Sequence, residues 1–273
     1  MATIDAAGTT LAYEDTGGDG RPVVLIHGWP LSGASWSGQV PALTDAGYRV
    51  ITYDRRGFGA SSKPDDGYDY DTFAADLAAL LDSLDLADAT LVGFSMGGGE
   101  VARYLGRHGS ERVRSAVFAG AVPPYLLITG DNPDGGLQDS DVQEMIDGIA
   151  EDREGFLNDF SVTFFSADDE LKVSDDQRKQ AFALSAPASD AAIQGCIDAF
   201  GRTDFRADLE RIDVPALVIH GDADAIVPFE VSGKRTAELV DDAELQVIDG
   251  GPHGFTVSHA DDFNAALVDF LAR

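Results

Sequence analysis

The feature that most limits what this chain can fold into is a short turn, Gly93-Phe94-Ser95-Met96-Gly97. It sits between an apolar run (Ala89-Thr90-Leu91-Val92) and a helix-like run (Glu100-Val101-Ala102-Arg103-Tyr104-Leu105). That order predicts a strand turning sharply into a helix, with the serine hydroxyl raised clear of a sheet. Glycines two residues to either side let strand and helix pass where a Cβ would collide. Glycine-rich turns around a serine are common, so the pentapeptide gains its weight from two residues farther along the chain. These are an acid and then a histidine, each just after a further strand-like run.

The remainder of the chain continues the alternation. Strands are expected at Thr10 to Glu14, Val23 to His27, Arg49 to Tyr53, Ala89 to Phe94, Val113 to Ala119, Ala216 to His220 and Glu244 to Ile248. Several are continuous apolar runs, as parallel strands covered on both faces require. Helices are expected at Thr72 to Leu84 behind an Asp71 cap, at Gly99 to Arg107, and at Asp261 to Ala272. Strands separated by helices give the α/β class, with a mostly parallel, doubly wound sheet. Between Ala121 and Asp204 the alternation lapses. Pro123-Pro124 opens a loop rich in Gly, Asn and Asp, and helix-like runs follow, one carrying Phe156, Phe160 and Phe164 on a single face. We read residues 1–121 and 205–273 as the core, and 122–204 as a helical cap inserted after the sixth strand of the sheet. The phenylalanine stripe reads as packing of cap on core.

At 273 residues, 44% of them hydrophobic, the chain can bury a large core and is not generally disordered. No apolar run approaches membrane-spanning length, and Met1-Ala2-Thr3-Ile4-Asp5 lacks the basic and apolar stretches of a signal peptide. The sole cysteine, Cys196, lies on an alanine-rich run and is expected to be a buried thiol rather than a nucleophile. A cytoplasmic location fits. Acidic residues number 48 against 19 basic ones, a net charge of −29 scattered along the whole chain. Such a surface repels itself until salt screens it, and so reads as adaptation to a salt-rich cytoplasm, as in halophilic archaea. Nucleic acid is a poor partner, because neutralising phosphates needs a basic face.

A serine hydroxyl attacks poorly until a base takes its proton, and that base must be held by a third group. Ser95 is the candidate nucleophile. Val218-Ile219-His220 runs into Gly221-Asp222-Ala223-Asp224, which offers the acid. Asp224 is preferred, since Asp222 has a turn-stabilising alternative. Val247-Ile248-Asp249 leads to Gly250-Gly251-Pro252-His253-Gly254, which presents His253 as the base. The backbone N–H groups of Met96 and Trp29 are the expected donors to a developing oxyanion, and Trp29 is also expected as a pocket wall. The other histidines read as structural: His108 at a helix C-terminus, His259 exposed on the last helix, His220 hydrogen-bonded in the core, His27 packed beside the oxyanion loop.

Together these stretches resemble a known family. His27-Gly28-Trp29-Pro30-Leu31-Ser32, Tyr53-Asp54-Arg55-Arg56-Gly57-Phe58-Gly59-Ala60-Ser61 and Gly93 to Val101 are similar to the cofactor-free haloperoxidases of the α/β-hydrolase family, a group that includes aryl esterases and perhydrolases. The resemblance implies an acyl-enzyme formed at Ser95 from an ester or short carboxylic acid. Water or hydrogen peroxide then releases it, without metal or haem. Members with proline at the Pro30 position are associated with perhydrolysis. The resemblance also implies pocket walls at Trp29, Tyr125 and Phe200, and assembly as a trimer or dimer of trimers. Haloalkane dehalogenases and epoxide hydrolases are set aside, because they carry aspartate where this chain has Ser95. A lactone or carbon–carbon bond hydrolase shares the triad and stays open, as does a ligand-binding receptor on the same fold.

Overall fold

The computed structural model describes residues 1–6 and 8–273. Eight strands form one sheet: β1 (Ala2–Ala6), β2 (Thr9–Asp15), β3 (Pro22–Ile26), β4 (Arg49–Tyr53), β5 (Ala89–Phe94), β6 (Val113–Ala119), β9 (Ala216–Gly221) and β10 (Ala243–Ile248). A separate two-residue ribbon supplies β7 (Ser166–Ala167) and β8 (Glu170–Leu171). The order across the sheet is β1-β2-β4-β3-β5-β6-β9-β10, with β2 antiparallel to both of its neighbours, β1 and β4, and every other pairing parallel. β3, β5 and β9 are buried almost throughout, so their unbroken apolar sequence follows from helices covering both faces. The seven strands expected from the sequence are present. β1 was not foreseen: it is short, largely exposed and carries little apolar signal.

The covering helices are α1 (Gln39–Asp45), α2 (Tyr70–Ser83), α3 (Met96–His108), α8 (Arg206–Leu209), α9 (Gly233–Leu239), α10 (Phe255–Ser258) and α11 (Ala260–Leu271). Two of the expected starts are corrected. α2 begins behind Asp69, whose carboxylate accepts from the Thr72 N–H at 2.9 Å. Asp71, the expected cap, lies in the first turn and pairs instead with Arg103. The earlier start buries Tyr70, whose ring meets Phe205 at 4.6 Å and whose hydroxyl donates to the Met96 carbonyl at 3.1 Å. α3 begins at Met96 rather than Gly99, so three glycines lie inside a helix despite their poor propensity. Packing decides it: a Cβ on Gly98 would lie 2.3 Å from the Ala121 Cβ, and one on Gly99 2.6 Å from the Tyr70 ring.

Between β6 and β9 run α4 (Asp139–Glu151), α5 (Arg153–Phe165), the β7–β8 ribbon, α6 (Asp175–Ala183) and α7 (Asp190–Arg202). The Asp152, Ser174 and Ser189 side chains cap α5, α6 and α7, as the sequence of each start favours. Among the described residues no helix is long and apolar enough to cross a membrane.

Candidate active site

Ser95 stands at the junction of β5 and α3 with φ 53° and ψ −119°. That conformation costs a non-glycine residue about 1–3 kcal/mol and persists only where the surroundings impose it. The surroundings are backbone. A Cβ on Gly93 would lie 2.4 Å from the Gly97 carbonyl oxygen, and one on Gly97 2.4 Å from that of Ile26. The Ser95 N–H is held by the Ala119 carbonyl at 2.8 Å. The glycine spacing seen in the sequence is therefore a steric requirement of this turn.

His253, on the loop after β10, comes to meet it. Its Nε2 lies 2.9 Å from Ser95 Oγ, and its Nδ1 lies 2.6 Å from Asp224 Oδ2. The imidazole is 1% exposed and the serine 6%, so bulk water is kept from the pair. Two rings do much of this: Phe94 lies over the imidazole at 5.1 Å, and Phe164 meets it edge-on at 5.0 Å. Asp224, on the loop after β9, is held at both oxygens. Oδ1 accepts from the N–H groups of Ile226 at 2.9 Å and Val227 at 2.8 Å. Burial opposes the carboxylate charge, yet the His253 imidazole bonded to it and the His220 ring 3.3 Å away hold the group well below the usual carboxyl range. Asp224 therefore stays ionised and fixes Nδ1–H on the imidazole, leaving Nε2 free to take a proton from the serine. Asp222, its rival, is exposed and accepts from the Gly250 N–H at 2.7 Å, tying the two loops together.

The loop after β3 brings Trp29 beside the serine. A Cβ on Gly28 would lie 3.0 Å from that of Ser95. Among the described residues the backbone N–H groups of Trp29 and Met96 bond no protein acceptor, so both are free for a ligand oxygen. A buried network that the sequence reading missed holds this loop against α3. The Arg55 N–H donates to His27 Nε2 at 3.0 Å, and Arg55 Nη2 to the His27 carbonyl at 2.9 Å. Arg55 Nε pairs with Glu100 at 2.8 Å, and the Tyr53 hydroxyl donates to the other Glu100 oxygen. Burial and the Arg55 charge push the His27 pKa well down, which keeps the ring neutral and structural. A buried ion pair is weak evidence for stability, but this one joins the two backbone segments that carry the free N–H groups. The available sequence signal was a glutamate at Glu100 among small and apolar residues; Arg55, between Asp54 and Arg56, gave none.

Ser95 opens onto a cavity of about 50 Å³ lined by Trp29, Val122, Leu126, Leu137, Met145, Phe160, Phe200, Ile226 and Val227. Trp29 and Phe200 lie where expected, with ring centroids 5.9 Å apart. Tyr125 does not: it is outside the cavity lining, its ring under the Arg206 guanidinium at 5.3 Å, because the chain after Pro123-Pro124 turns that side chain away and points Leu126 inward. The phenylalanine stripe is more than packing. Phe160 lines the cavity and meets Trp29 at 5.1 Å, while Phe164 covers His253. A larger cavity of about 240 Å³, between the turn Gly33–Gly38 and α6, contains none of Ser95, Asp224 and His253. Phe94 and Phe164 line it on one side and pack on the imidazole with the other.

The remaining candidates are structural. His108 is exposed at the end of α3 and stacks on Tyr104. His259 is half-buried rather than exposed, its Nδ1 within 2.9 Å of Ser258 Oγ, because the break between α10 and α11 turns it inward. Burial pushes the Cys196 thiol up to about 12, far from nucleophilic. Among the described residues no three His, Cys, Asp or Glu side chains converge to hold a metal ion.

Residues 21–260 match the family model of the alpha/beta hydrolase fold. The chain is similar to a bromoperoxidase from Bacillus anthracis of solved structure, at 53% identity and a TM-score of 0.97 over 100% of this chain and 99% of that one. It is 47% identical to a non-heme chloroperoxidase from Kitasatospora aureofaciens over 97% of each chain. It is 37% identical to a bifunctional esterase/perhydrolase from Acinetobacter calcoaceticus, covering 97% of this chain and 96% of the relative. With the strained serine turn and the acid–base pair around it, these likenesses make the chain a member of the α/β-hydrolase family, in the group of the non-haem haloperoxidases.

Proposed function

We propose that the protein is a serine carboxylesterase with perhydrolase activity, and that Ser95, His253 and Asp224 are its catalytic residues. The observation that carries this reading is the pair of contacts at His253, 2.9 Å to Ser95 Oγ and 2.6 Å to Asp224 Oδ2. His253 Nε2 takes the serine proton as Oγ attacks the acyl carbon. The oxyanion that forms is held by the N–H groups of Trp29 and Met96, worth about 3–4 kcal/mol per donor in comparable sites. His253 then gives the proton to the departing alcohol, leaving an acyl-Ser95 ester. In the second half, His253 takes a proton from water, which yields the carboxylic acid, or from hydrogen peroxide, which yields a peracid able to oxidise halide in solution. The relatives named as a chloroperoxidase and an esterase/perhydrolase support the peroxide branch.

The cavity at Ser95, about 50 Å³ and apolar apart from the serine, favours a short acyl group such as acetyl or propionyl. It gives little room to the ring-sized acyl part of a carbon–carbon bond hydrolase substrate. We further propose that residues 122–204 act as a cap over a core of 1–121 and 205–273, that the protein works in the cytoplasm, and that its net charge of −29 suits it to concentrated salt. The test is labelling of Ser95 by a fluorophosphonate together with turnover of p-nitrophenyl acetate; failure of both defeats the enzyme reading. Acetate with hydrogen peroxide, assayed for peracid, separates a perhydrolase from a plain esterase.

A further inference from the structure

We propose that His220 is a positioning residue for Asp224, holding the carboxylate that orients His253. The proposal rests on the triad reading given above. His220 ends β9, is fully buried, and places Nε2 2.8 Å from the Val227 carbonyl and 3.3 Å from Asp224 Oδ2. A carbonyl only accepts, so Nε2 carries the proton and donates it to Val227, and that N–H dipole lies beside Asp224 Oδ2 as a longer polar contact. The other ring nitrogen, Nδ1, has no hydrogen-bond partner among the described residues. Gly233 packs close against it, since a Cβ there would lie 2.4 Å from Nδ1.

That orphan nitrogen argues against mere space filling. Burying a polar atom without a partner is unfavourable, and an apolar side chain of similar size would escape that cost. The imidazole is retained for what Nε2 does. With His220 in place, Asp224 has Ile226 and Val227 donating to Oδ1, His253 bonded to Oδ2, and the His220 N–H dipole 3.3 Å from that same Oδ2. A carboxylate bonded at both oxygens, with that dipole against one of them, is hindered from swinging about its terminal torsion while His253 gains and loses its proton. His220 also draws charge from the very oxygen that stabilises the imidazolium. The charged and titratable groups facing Asp224 are His253, from the loop after β10, and His220, from its own strand. Gly120 after β6, and Phe229 and Gly233 around His220, bring no charge.

The test uses His220→Met, which fills space without a donor, and His220→Gln, which keeps an N–H. Each is measured for kcat and KM on p-nitrophenyl acetate across pH, with thermal melting alongside. Met is expected to lower kcat by ~10- to 100-fold, the scale of a misplaced catalytic group, with KM within about twofold. The acid limb of kcat/KM should move to higher pH, because an undivided carboxylate charge favours the protonated base. Gln should recover most of the rate and restore the limb. In an Asp224→Asn background, His220→Met should cost less than about twofold more, since no carboxylate remains to be held. A Met variant with unchanged kcat and acid limb overturns the proposal. So does equal loss in Met and Gln without a shift of the limb, or a full additional loss in the Asp224→Asn background. Should Met fail to fold, a Gln variant that folds but has the rate and acid limb expected of Met overturns it as well. A wild-type protein that neither turns over ester nor takes the phosphonate label defeats the parent reading, a result distinct from all of these.

Discussion

Ser95, Asp224 and His253 ride on loops shaped by backbone contacts a few residues away, whereas the wall across the cavity is assembled from side chains of α4, α5 and α7. The first region tolerates almost nothing. Gly93 and Gly97 face carbonyl oxygens, Ser95 sits at a positive φ, and Asp224 accepts from the N–H groups two and three residues ahead. The second is a contact surface of Met145, Phe160 and Phe200, where one apolar residue can replace another at the cost of shape. On the proposed function, chemistry is fixed by rigid loops and substrate size by a repackable wall. The contrast teaches that reaction type and acyl preference can change independently.

The sharpest attempt to break that division is Ser95→Ala, expected to lower esterase turnover by ~10⁵-fold or more and abolish phosphonate labelling. Asp224→Asn should cost ~10³- to 10⁴-fold in kcat through the wrong imidazole tautomer, while Asp222→Asn stays within about threefold. The reverse outcome would hand the acid's role to Asp222. Because folding holds the Asp224 carboxyl below its ordinary range, its contribution to stability is complete above the unfolded value near 3.8 and fades as pH falls through the lower folded value. The melting temperature of Asp224→Asn should therefore approach that of the wild type in acid.

Gly97→Ala probes the rigid region without touching a reacting group. With a backbone carbonyl 2.4 Å from the new methyl, a stability loss of about 3 kcal/mol is expected in urea melts; a loss under about 1 kcal/mol would show the turn to be adaptable. Phe160→Ala probes the repackable wall. It should raise kcat/KM for hexanoyl over acetyl p-nitrophenyl esters by ~10-fold, with kcat for the acetyl ester nearly unchanged. A collapse of the acetyl rate would mean that wall and chemistry are coupled after all. The smallest effect is global: raising KCl from 0.1 to 2 M should lift the melting temperature by about 5 °C through screening, and a flat response would dismiss the salt adaptation.

The reach of the sequence follows the same division. The serine turn, Asp224 and His253 were legible because each depends on its neighbours: glycines where the chain passes another backbone, an aspartate that accepts from residues just ahead, a glycine and proline loop after a strand. The inner strands β3, β5 and β9 were legible for a related reason, since parallel strands buried on both faces must be apolar throughout, whereas β2 and the exposed edge strand β10 showed as alternating polar and apolar residues. The start of α3 lies earlier than the local pattern implies because Gly97 to Gly99 are poor helix formers, and only contacts with the Ile26 carbonyl, Ala121, Tyr70 and Phe205 explain why glycines stand there.

Tertiary structure alone decided which residues of α4, α5 and α7 face the serine, that Tyr125 turns to Arg206 while Leu126 turns inward, and that Arg55 and Glu100 pair beneath the loop carrying Trp29. Those residues meet across long stretches of chain through side chains whose types are individually ordinary. A local pattern can specify a backbone conformation or a helical face, but the identity of the element packed against that face is a property of the whole fold.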